Sequence, residues 1–388
     1  MAPLIIEPVD AAGVAAALRA ADADGRSVVV RGAATTFTPP PADVVLATTK
    51  LTMGIDHVAG DLVATVPAGV SLDSVNEVLR RERQWLPLDP PRGDRATIGG
   101  IVATNDSGPR RHRFGAPRDL IIGIEIALAD GRIAKAGGRV VKNVAGYDLS
   151  KLMCGSLGTL AVVTSATFKL SPVARCSKTL VASLGDLRRL STLALTLANA
   201  PAISPTAIEL QSPPHRLLVR FETTEGAAAA QTNIAAGLCE QFGATTSVVS
   251  GLAEADLWRE HETRIFGTPG TVVKIAVLPT DVADVLSAIE RLTTTASVDS
   301  VLSGRAALGI LLLRLGSRPS AHSSIVGELR NAATARRGSA VIVSATDDVT
   351  KAIGRWSPVG DAEPVMRAVK ARFDPRDTLN PNRGSWAS

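Results

Sequence analysis

Residues 96–108 read ATIGGIVATNDSG and open a glycine-rich region that extends to residue 172. Because glycine lacks a Cβ, the backbone at Gly99 and Gly100 is able to approach a bulky ligand and offer N–H donors. The same pattern recurs at Asn105-Asp106-Ser107-Gly108 and in a turn that runs directly into a strand, CGSLGTLAVV at positions 154–163. Such loops, attached to strands, predict a site for an extended, phosphate-bearing ligand.

The strands around these loops are visible as apolar runs. Leu120–Ala129 and Ala161–Leu170 alternate, as half-buried strands do. Earlier in the chain, Ser27–Arg31 (SVVVR) predicts a buried strand that leads into the small-residue loop Gly32-Ala33-Ala34-Thr35-Thr36. By itself this loop is equally consistent with an ordinary turn and with a ligand-binding loop.

Length and the change in pattern after Pro172 predict more than one domain. A chain of 388 residues exceeds an ordinary single domain. Beyond Pro172, glycine clusters are rare and strands alternate with helices, which predicts an antiparallel sheet covered by helices. We therefore expect an α+β protein with a first domain at residues 1–173, a second at 178–350 and a C-terminal tail at 351–388 that returns to the first.

Composition excludes several classes of protein. The net charge of +5 is spread along the chain without a long basic run, so nucleic acid is not the expected partner. Three scattered cysteines without a C-x-x-C pair predict neither an iron–sulfur cluster nor a zinc site. No G-x-G-x-x-G or Walker A pattern is present, which argues against a nicotinamide-binding Rossmann domain. No signal peptide and no transmembrane segment are predicted, so a cytoplasmic location is expected.

Taken together, the motifs resemble the FAD domain of the flavin oxidases related to vanillyl-alcohol oxidase, also called the PCMH type. Within them, the chain most resembles the smaller FAD-binding subunit of bacterial glycolate oxidases. The resemblance is carried by ATIGG, RFG-x-x-RDLIIGIEIALADG, KNVAGYDLSKL, GSLGTLAVVT and, near the C-terminus, FDPRDTLNPNRG. It covers most of the chain. It implies a two-lobed FAD-binding domain followed by an α+β cap, or substrate, domain.

The resemblance also implies which residues contact FAD. The small-residue loop matches the family's pyrophosphate loop in part, because alanines replace its usual glycines. Gly158, Thr159 and Val162 correspond to the segment at the adenine end. The loop at residues 31–37 contains no histidine, so non-covalent FAD is expected. The full set of expected cofactor-binding residues is Arg31, Gly32, Thr35, Thr36, Thr97, Gly99, Gly100, Asn105, Ser107, Gly108, Gly158, Thr159 and Val162.

The function implied is oxidation of glycolate, or another small 2-hydroxy acid, to the 2-oxo acid. The expected partners are a larger flavin subunit and an iron–sulfur subunit that accepts the electrons. Relatives that oxidise hydroxy acids carry closely spaced histidines in the cap that hold a metal and take a proton; here the five histidines are dispersed, so no metal is expected and the catalytic base is unassigned. His261 is expected at the surface of a helix. Tyr147, the only tyrosine, is equally consistent with a domain interface and a place beside the flavin.

Two alternatives remain open at this point. One is a self-sufficient flavin oxidase or dehydrogenase of another small hydroxy acid or alcohol. The other is a non-catalytic scaffold subunit that keeps the fold without the flavin. Turnover by the isolated chain favours the first, and a colourless protein favours the second.

Overall fold

The computed structural model describes residues 2–35, 41–139 and 147–384, which form two compact units. Unit 1 comprises Met1–Val173 and Pro358–Ser388, and unit 2 comprises Ala174–Ser357. Residues 351–357 therefore lie with unit 2. We call Pro358–Gly384 the return segment, because it follows unit 2 in sequence and belongs to unit 1.

Unit 1 begins with short strands and helices whose limits follow local sequence signals. The Asp10 carboxylate caps the first helix by accepting a hydrogen bond from Gly13 N at 2.7 Å, and Ser71 caps the second by accepting from Ser74 N. Up to residue 172 the elements are β1 Leu4–Ile6, α1 Ala11–Ala23, β2 Val28–Arg31, β3 Val44–Ala47, β4 Asp56–Val58, β5 Val63–Pro67, α2 Leu72–Arg80, β6 Gln84–Trp85, α3 Ile98–Thr104, α4 Arg111–Phe114, α5 Pro117–Leu120, β7 Ile121–Ala127, β8 Ile133–Gly137, α6 Leu149–Met153, β9 Val162–Lys169 and β10 Ser171–Pro172.

Two sheets make the two lobes of unit 1. In the first, β1, β3 and β2 are parallel, and β3 (VVLA) is buried along its whole length, as expected of a strand covered on both faces. In the second, five antiparallel strands follow the order β4-β5-β9-β7-β8. A single apolar core that includes Leu46, Val66 and Phe168 joins the two lobes. The glycine-rich segments thus lie between sheets that share one core.

Unit 2 is built on one antiparallel sheet of eight strands, in the order β14-β11-β13-β12-β16-β17-β15-β18. Its elements are β11 Cys176–Ser183, α7 Leu187–Ala198, β12 Ala207–Ser212, β13 Arg216–Thr223, α8 Glu225–Gln241, β14 Thr245–Ser250, α9 Gly251–Thr263, β15 Thr271–Ala276, α10 Val282–Ala296, β16 Ser300–Arg305, β17 Ile310–Leu315, α11 His322–Thr334, β18 Ser339–Ser344 and α12 Asp347–Ile353.

The two faces of this sheet differ in chemistry. Alternate residues such as Ile208 and Leu217 pack against α7, α8, α10 and α11 in a large apolar core. Their neighbours along the strands, Ala207 and Leu218, instead contact Trp258 of α9 in a small separate cluster. Because strand side chains alternate, the face that carries α9 is the one that holds the buried polar side chains of β12 and β16.

The return segment contains the last helix, α13 Glu363–Phe373, and then a turn-rich stretch. Leu379 forms a parallel bridge with Val28, and Val28 N donates to Thr378 O at 2.7 Å. The segment thus extends the hydrogen bonding of β2 in the first lobe. The α+β fold class predicted from sequence is confirmed. Within the described ranges, no helix is long and apolar enough to cross a membrane.

Candidate functional site: a glycine-lined groove in unit 1

A groove of about 750 Å³, open to solvent, lies within unit 1 where β2, α3, the turn before β9 and the return segment meet. Two thirds of its lining residues, 12 of 18, are glycine, alanine or threonine. Its lining residues are Val30, Arg31, Gly32, Ala33, Ala34, Thr35, Thr48, Thr97, Gly99, Gly100, Ala103, Thr104, Leu157, Gly158, Ala161, Val163, Asn380 and Arg383.

The loop after β2 presents unused backbone donors to the groove. Across the part of the chain that the structure describes, none of the N–H groups of residues 32–35 donates to a protein acceptor. The guanidinium of Arg31, directly before them, has no ion-pair or hydrogen-bond partner there either, although the Arg31 carbonyl accepts a hydrogen bond from Thr48 Oγ1. Successive free N–H groups beside a guanidinium form a concave site for an anion. This end of the groove therefore suits a phosphate group.

Thr97 supplies a second unused polar group. Its side chain is buried, with 4% exposure, yet its Oγ1 has no hydrogen-bond partner among the described residues. A Cβ placed on Gly32 would lie 2.5 Å from this oxygen, and one placed on Gly100 would lie 3.2 Å from it. A buried hydroxyl without a partner is costly unless a ligand or water completes it. The hydroxyl thus marks the place where a ligand's polar atom would bind.

The turn before β9 is held against the groove by Asn380. The side-chain amide of Asn380 donates to Leu157 O at 3.0 Å and to Gly158 O at 2.9 Å, while its Oδ1 accepts from Val30 N at 3.0 Å. Gly158 has φ +72°, and a Cβ there would lie 2.6 Å from Asn380 Nδ2. Glycine is therefore required at 158 for both conformation and space. One side chain from the return segment joins two walls of the groove.

Lys370 of α13 also holds the turn before β9 in place. Its ammonium group is buried and donates to Thr159 O at 2.9 Å, to Leu379 O at 3.1 Å and to Asp374 Oδ2 at 2.5 Å. Asp374 in turn accepts from the backbone N–H groups of Thr378 and Leu379. This ion pair is satisfied by hydrogen bonds on both partners, which is what a buried pair needs.

The sequence-predicted residues divide into three groups. The structure brings seven of them together in the groove: Arg31, Gly32, Thr35, Thr97, Gly99, Gly100 and Gly158. Thr36 lies outside the described residues. The remaining five do not line the groove, and they are Asn105, Ser107, Gly108, Thr159 and Val162.

The residues outside the groove have structural partners instead. Asn105 Oδ1 accepts from Arg118 N at 3.2 Å, and Ser107 Oγ accepts from Arg111 at 3.3 Å. Gly108 N donates to the Asp89 carboxylate, and a Cβ on Gly108 would lie 1.8 Å from Asp89 O. Thr159 Oγ1 donates to Ser156 O, and Val162 is buried in the core. These contacts position the five residues, and a role for them in cofactor binding stays a prediction.

Gly99 also differs from expectation. It lies in the first turn of α3 rather than in a loop, and its N–H donates to Ala68 O at 2.8 Å. A Cβ on Gly99 would lie 2.9 Å from the Ala68 Cβ, so its small size permits helix-to-strand packing. Gly100 N, in contrast, has no acceptor in the described chain. Of the two glycines, Gly100 is therefore the one with a backbone donor available to a ligand.

The sequence did not indicate Thr48, Asn380 or Arg383 as groove residues. Thr48 follows β3, and the other two lie more than three hundred residues along the chain from β2. The signal for Asn380 was the D-P…L-N-P pattern, which indicated a return of the chain but not a role for a side chain. Tyr147 is 93% exposed.

The thiol of Cys154 is unreactive. Cys154 ends α6, close in sequence to the turn at residues 157–158. Burial raises the pKa of its thiol to about 12. Since only the thiolate is a good nucleophile, the thiol stays protonated and inert at neutral pH.

Comparison with known proteins identifies the cofactor. A family profile described as "FAD binding domain" matches residues 2–137. Residues 2–137 therefore form an FAD-binding domain. Its cofactor is FAD. The profile covers β2, α3 and the loop at residues 32–35, which we call the amide loop. It therefore covers much of the groove wall.

Relatives of this FAD-binding protein include D-lactate dehydrogenases, glycolate oxidase subunits and a D-2-hydroxyglutarate dehydrogenase. It is 37% identical over 177 residues to a D-lactate dehydrogenase of Archaeoglobus fulgidus, covering 44% of this chain and 39% of that protein. It is 35% identical over 222 residues to the glycolate oxidase subunit GlcE of Escherichia coli, covering 57% and 59%. It is 28% identical over 372 residues to the glycolate oxidase subunit GlcD of Bacillus subtilis, covering 83% and 75%.

A solved structure supports the fold over nearly the whole chain. An alkyldihydroxyacetonephosphate synthase matches with a TM-score of 0.72 at 15% identity, covering 98% of this chain and 77% of that one. At this identity the likeness concerns the fold alone. The chain spans only part of two of the three named relatives, 39% and 59% of their lengths.

The groove fits FAD in the chemistry of its lining. The free N–H groups of residues 32–35 and the Arg31 guanidinium suit the pyrophosphate, and Thr97 Oγ1 and Gly100 N offer one further acceptor or donor each. FAD, when bound, supplies two-electron redox chemistry, while the protein supplies binding and orientation. The chain itself contributes hydrogen-bond donors to the groove. The packing of α3 and the contacts of the return segment hold these donors in place.

We expect Gly100→Val to lower FAD affinity by at least about tenfold, a change of about 1.4 kcal/mol. The added branched side chain would lie beside Thr97 Oγ1. It would fill the part of the groove where we expect the backbone of Gly100 to contact FAD. The measurement is FAD titration of the apoprotein. Gly237→Val is the matched control, because Gly237 lies in helix α8 with nothing within 4 Å of an added Cβ. Equal affinity in both variants would show that Gly100 serves packing only.

Proposed function

We propose that this protein oxidises a small 2-hydroxy acid, with glycolate to glyoxylate as the leading reaction. It acts as the FAD-binding subunit of a glycolate oxidase-type complex that also contains a larger flavin subunit and an iron–sulfur subunit. The names of two relatives, glycolate oxidase subunits GlcD and GlcE, and of several D-lactate dehydrogenases support this class of substrate. These substrates share a hydroxyl group next to a carboxylate.

A cluster of arginines in unit 2 carries the proposal, because it suits a carboxylate. Burial and the neighbouring cation of Arg216 lower the pKa of Arg264, and Arg314 adds to the effect. Arg264 Nε and Arg314 Nε are buried and have no hydrogen-bond partner among the described residues. Arg264 also donates to Pro213 O, and Arg216 pairs with Glu260 at 3.3 Å, so the donors left open in this cluster are the two Nε–H groups. Open donors on guanidinium groups favour an anionic ligand. A substrate that carries a carboxylate would supply the missing acceptors.

The cysteine content supports an external electron acceptor. The three thiols, Cys154, Cys176 and Cys239, are separate free cysteines, and an iron–sulfur cluster commonly needs four thiolate ligands. Burial raises the pKa of Cys239 to about 11, as it raises that of Cys154. Electrons that leave FAD toward a cluster therefore require a partner subunit.

The test is anaerobic mixing of the FAD-loaded chain with glycolate, D-lactate or ethylene glycol, followed by the absorbance of oxidised flavin. We expect a hydroxy acid to bleach the isolated chain slowly or not at all, and to bleach it fast once the larger flavin subunit and the iron–sulfur subunit are added. Ethylene glycol, which has the hydroxyl without the carboxylate, should cause no bleaching in either case. Arg314→Met should raise the half-saturating hydroxy-acid concentration. Bleaching by ethylene glycol as fast as by glycolate would contradict a carboxylate-dependent function, and rapid reoxidation by oxygen would favour a self-sufficient oxidase.

We also expect FAD to be bound non-covalently. The loop at residues 31–37 contains no histidine, and the high pKa of Cys154 keeps its thiol protonated. Acid precipitation of the yellow protein should leave the flavin in the supernatant. Flavin that remains with the washed pellet would contradict this prediction.

A further inference from the structure

We infer that β14, Thr245–Ser250, pairs with the β14 strand of a second copy of this chain, so that two copies form a symmetric dimer through unit 2. β14 is the last strand at one edge of the eight-stranded sheet and pairs with β11. An edge strand directs part of its backbone N–H and C=O groups away from the sheet, where they are available to another chain.

The outward backbone groups of β14 have no partner in the part of the chain that the structure describes. The strand pairs antiparallel with β11, and no turn, loop or side chain beyond β11 forms a hydrogen bond with the backbone of residues 245–249. Four of the six side chains of β14 are exposed. The sheet therefore ends at β14 in an open row of donors and acceptors.

The opposite edge of the same sheet, at β18, is closed by residues 355–357. Ala340 N donates to Ser357 Oγ at 2.8 Å, and Ser357 Oγ donates to Ala340 O at 3.0 Å. Ile342 N donates to Arg355 O at 2.9 Å, and the Arg355 guanidinium donates to Ile342 O at 2.8 Å. The chain thus covers one edge of this sheet with its own residues and leaves the other edge open.

The sheet edges of unit 1, within the described ranges, carry features that discourage pairing with another chain. β1 and β4 have three residues each, β8 carries Lys135, and β2 is bonded to the return segment. Short edges, lysines and covering segments are common means of blocking an edge. β14 has none of them. It has six residues without a charge or a proline, and its register with β11 is unbroken.

β14 is a preformed edge, because the helix that follows it is anchored on the sheet. Glu254 of α9 accepts from Ser177 Oγ at 2.6 Å and from Thr179 Oγ1 at 2.7 Å, and Trp258 Nε1 donates to Thr179 Oγ1 at 2.9 Å. His261, which the sequence predicts at the surface of this helix, is instead buried, with 7% exposure. A strand that is ordered in advance loses little conformational entropy when it pairs.

The chemistry of this edge suits a copy of itself. Residues 243–253 (GATTSVVSGLA) contain no charged residue. In a two-fold contact the same surface patch meets itself, so a charge near the axis would face a like charge, and here none does. Pairing through β14 occupies the open edge of both copies. Because the β18 edge is closed, assembly then stops at two copies.

Side-chain alternation restricts the register of the pair. Opposite residues of antiparallel strands lie on the same face of a sheet, so the two-fold axis between identical strands passes beside a residue. An axis at Val248 places the two Val248 side chains opposite each other and Thr246 opposite Ser250. Val248 is 51% exposed in the single chain. This register buries that side chain, and a pair of β-branched residues stabilises neighbouring strands.

The first test is the molar mass of the full chain loaded with FAD, measured by light scattering during size-exclusion chromatography. We expect twice the mass of one chain for the wild type. Val248→Lys should raise the dimer dissociation constant by about 100-fold or more, because two ammonium groups would face each other at the axis. Val365→Lys is the matched control, since Val365 is also exposed, at 65%, but lies on α13 of unit 1; this variant should stay dimeric.

Two outcomes of this measurement would overturn the inference. A dimer that Val248→Lys retains as fully as Val365→Lys would use another surface. A monomeric wild-type chain would leave the open edge to a strand of a different subunit. Neither result depends on turnover, so the mass is independent of the proposed function.

Cross-linking tests the register without removing a contact. Val248→Cys treated with a short bis-maleimide should give a covalent dimer on a denaturing gel, because the two side chains would lie about 5 Å apart. Val365→Cys and the wild type, whose own thiols are Cys154, Cys176 and Cys239, should remain single chains. A dimeric sample of Val248→Cys that gives no covalent dimer would also overturn the inference.

Discussion

Lys370→Met is expected to destabilise unit 1 by about 3–5 kcal/mol. Methionine has nearly the length of lysine but leaves Asp374, whose side chain is fully buried, without its cation. It also removes the donors to Thr159 O and Leu379 O. Breaking one half of a buried pair costs much more than losing an exposed one, because the remaining charge stays desolvated.

Urea unfolding of the apoprotein measures this prediction. Lys151→Met is the matched control, since Lys151 forms a similar short pair with Asp148 but both side chains are about half exposed (49% and 52%). That change should cost no more than about 1 kcal/mol. Similar losses in both variants would show that the Lys370 network adds nothing beyond an ordinary surface pair.

Asn380→Ala is expected to lower FAD affinity by at least about tenfold and stability by about 2–4 kcal/mol. The change leaves Val30 N, Leu157 O and Gly158 O without their partner, and these atoms belong to two walls of the groove. The amide loop and the turn before β9 would then no longer be held at a fixed separation. FAD titration and urea unfolding give the two readouts.

Asn382→Ala is the control for the backbone strain that alanine introduces at position 380. Asn380 and Asn382 both have left-handed backbone conformations, with φ of 44° and 59°, so alanine introduces similar strain at each. Asn382 is exposed and makes no hydrogen bond in the described chain. If both variants lose FAD equally, backbone strain and not the Asn380 amide is responsible.

Local signals in the sequence were sufficient for most elements. The strand predicted at Ser27–Arg31 is β2, and the strands predicted at Leu120–Ala129 and Ala161–Leu170 are β7 and β9. In each case an apolar period and a cap or turn residue lie within the same few positions. Such signals need no knowledge of the rest of the fold.

α3 was missed because its glycines have poor helix propensity. Gly99 is present so that α3 can pack against Ala68, and this tertiary contact outweighs propensity. Nothing in the sequence indicated that Asn105 and Ser107 lie outside the lining of the groove. Their residue types fit a ligand site, but whether an amide or hydroxyl faces a ligand or a neighbouring loop depends on contacts that sequence patterns do not contain.

Residues distant in sequence were beyond prediction altogether. Asn380 reaches the groove only because the return segment pairs with β2, and His261 is buried only because α9 lies on the polar face of the sheet. Spacing rules search for histidines near one another or glycines near a strand. They do not detect a carboxylate on one strand that meets a histidine on a later helix.

The hydrogen bond from Val30 to Asn380 joins residues 350 positions apart. During synthesis, the first lobe and the ATIGG segment leave the ribosome long before residue 380 does. The nascent chain therefore carries an unfinished groove through the whole translation of unit 2, and it captures FAD only after residue 380 has emerged. A premature stop codon anywhere upstream of that residue would yield a polypeptide that keeps the recognisable glycine motifs and yet fails to retain the flavin.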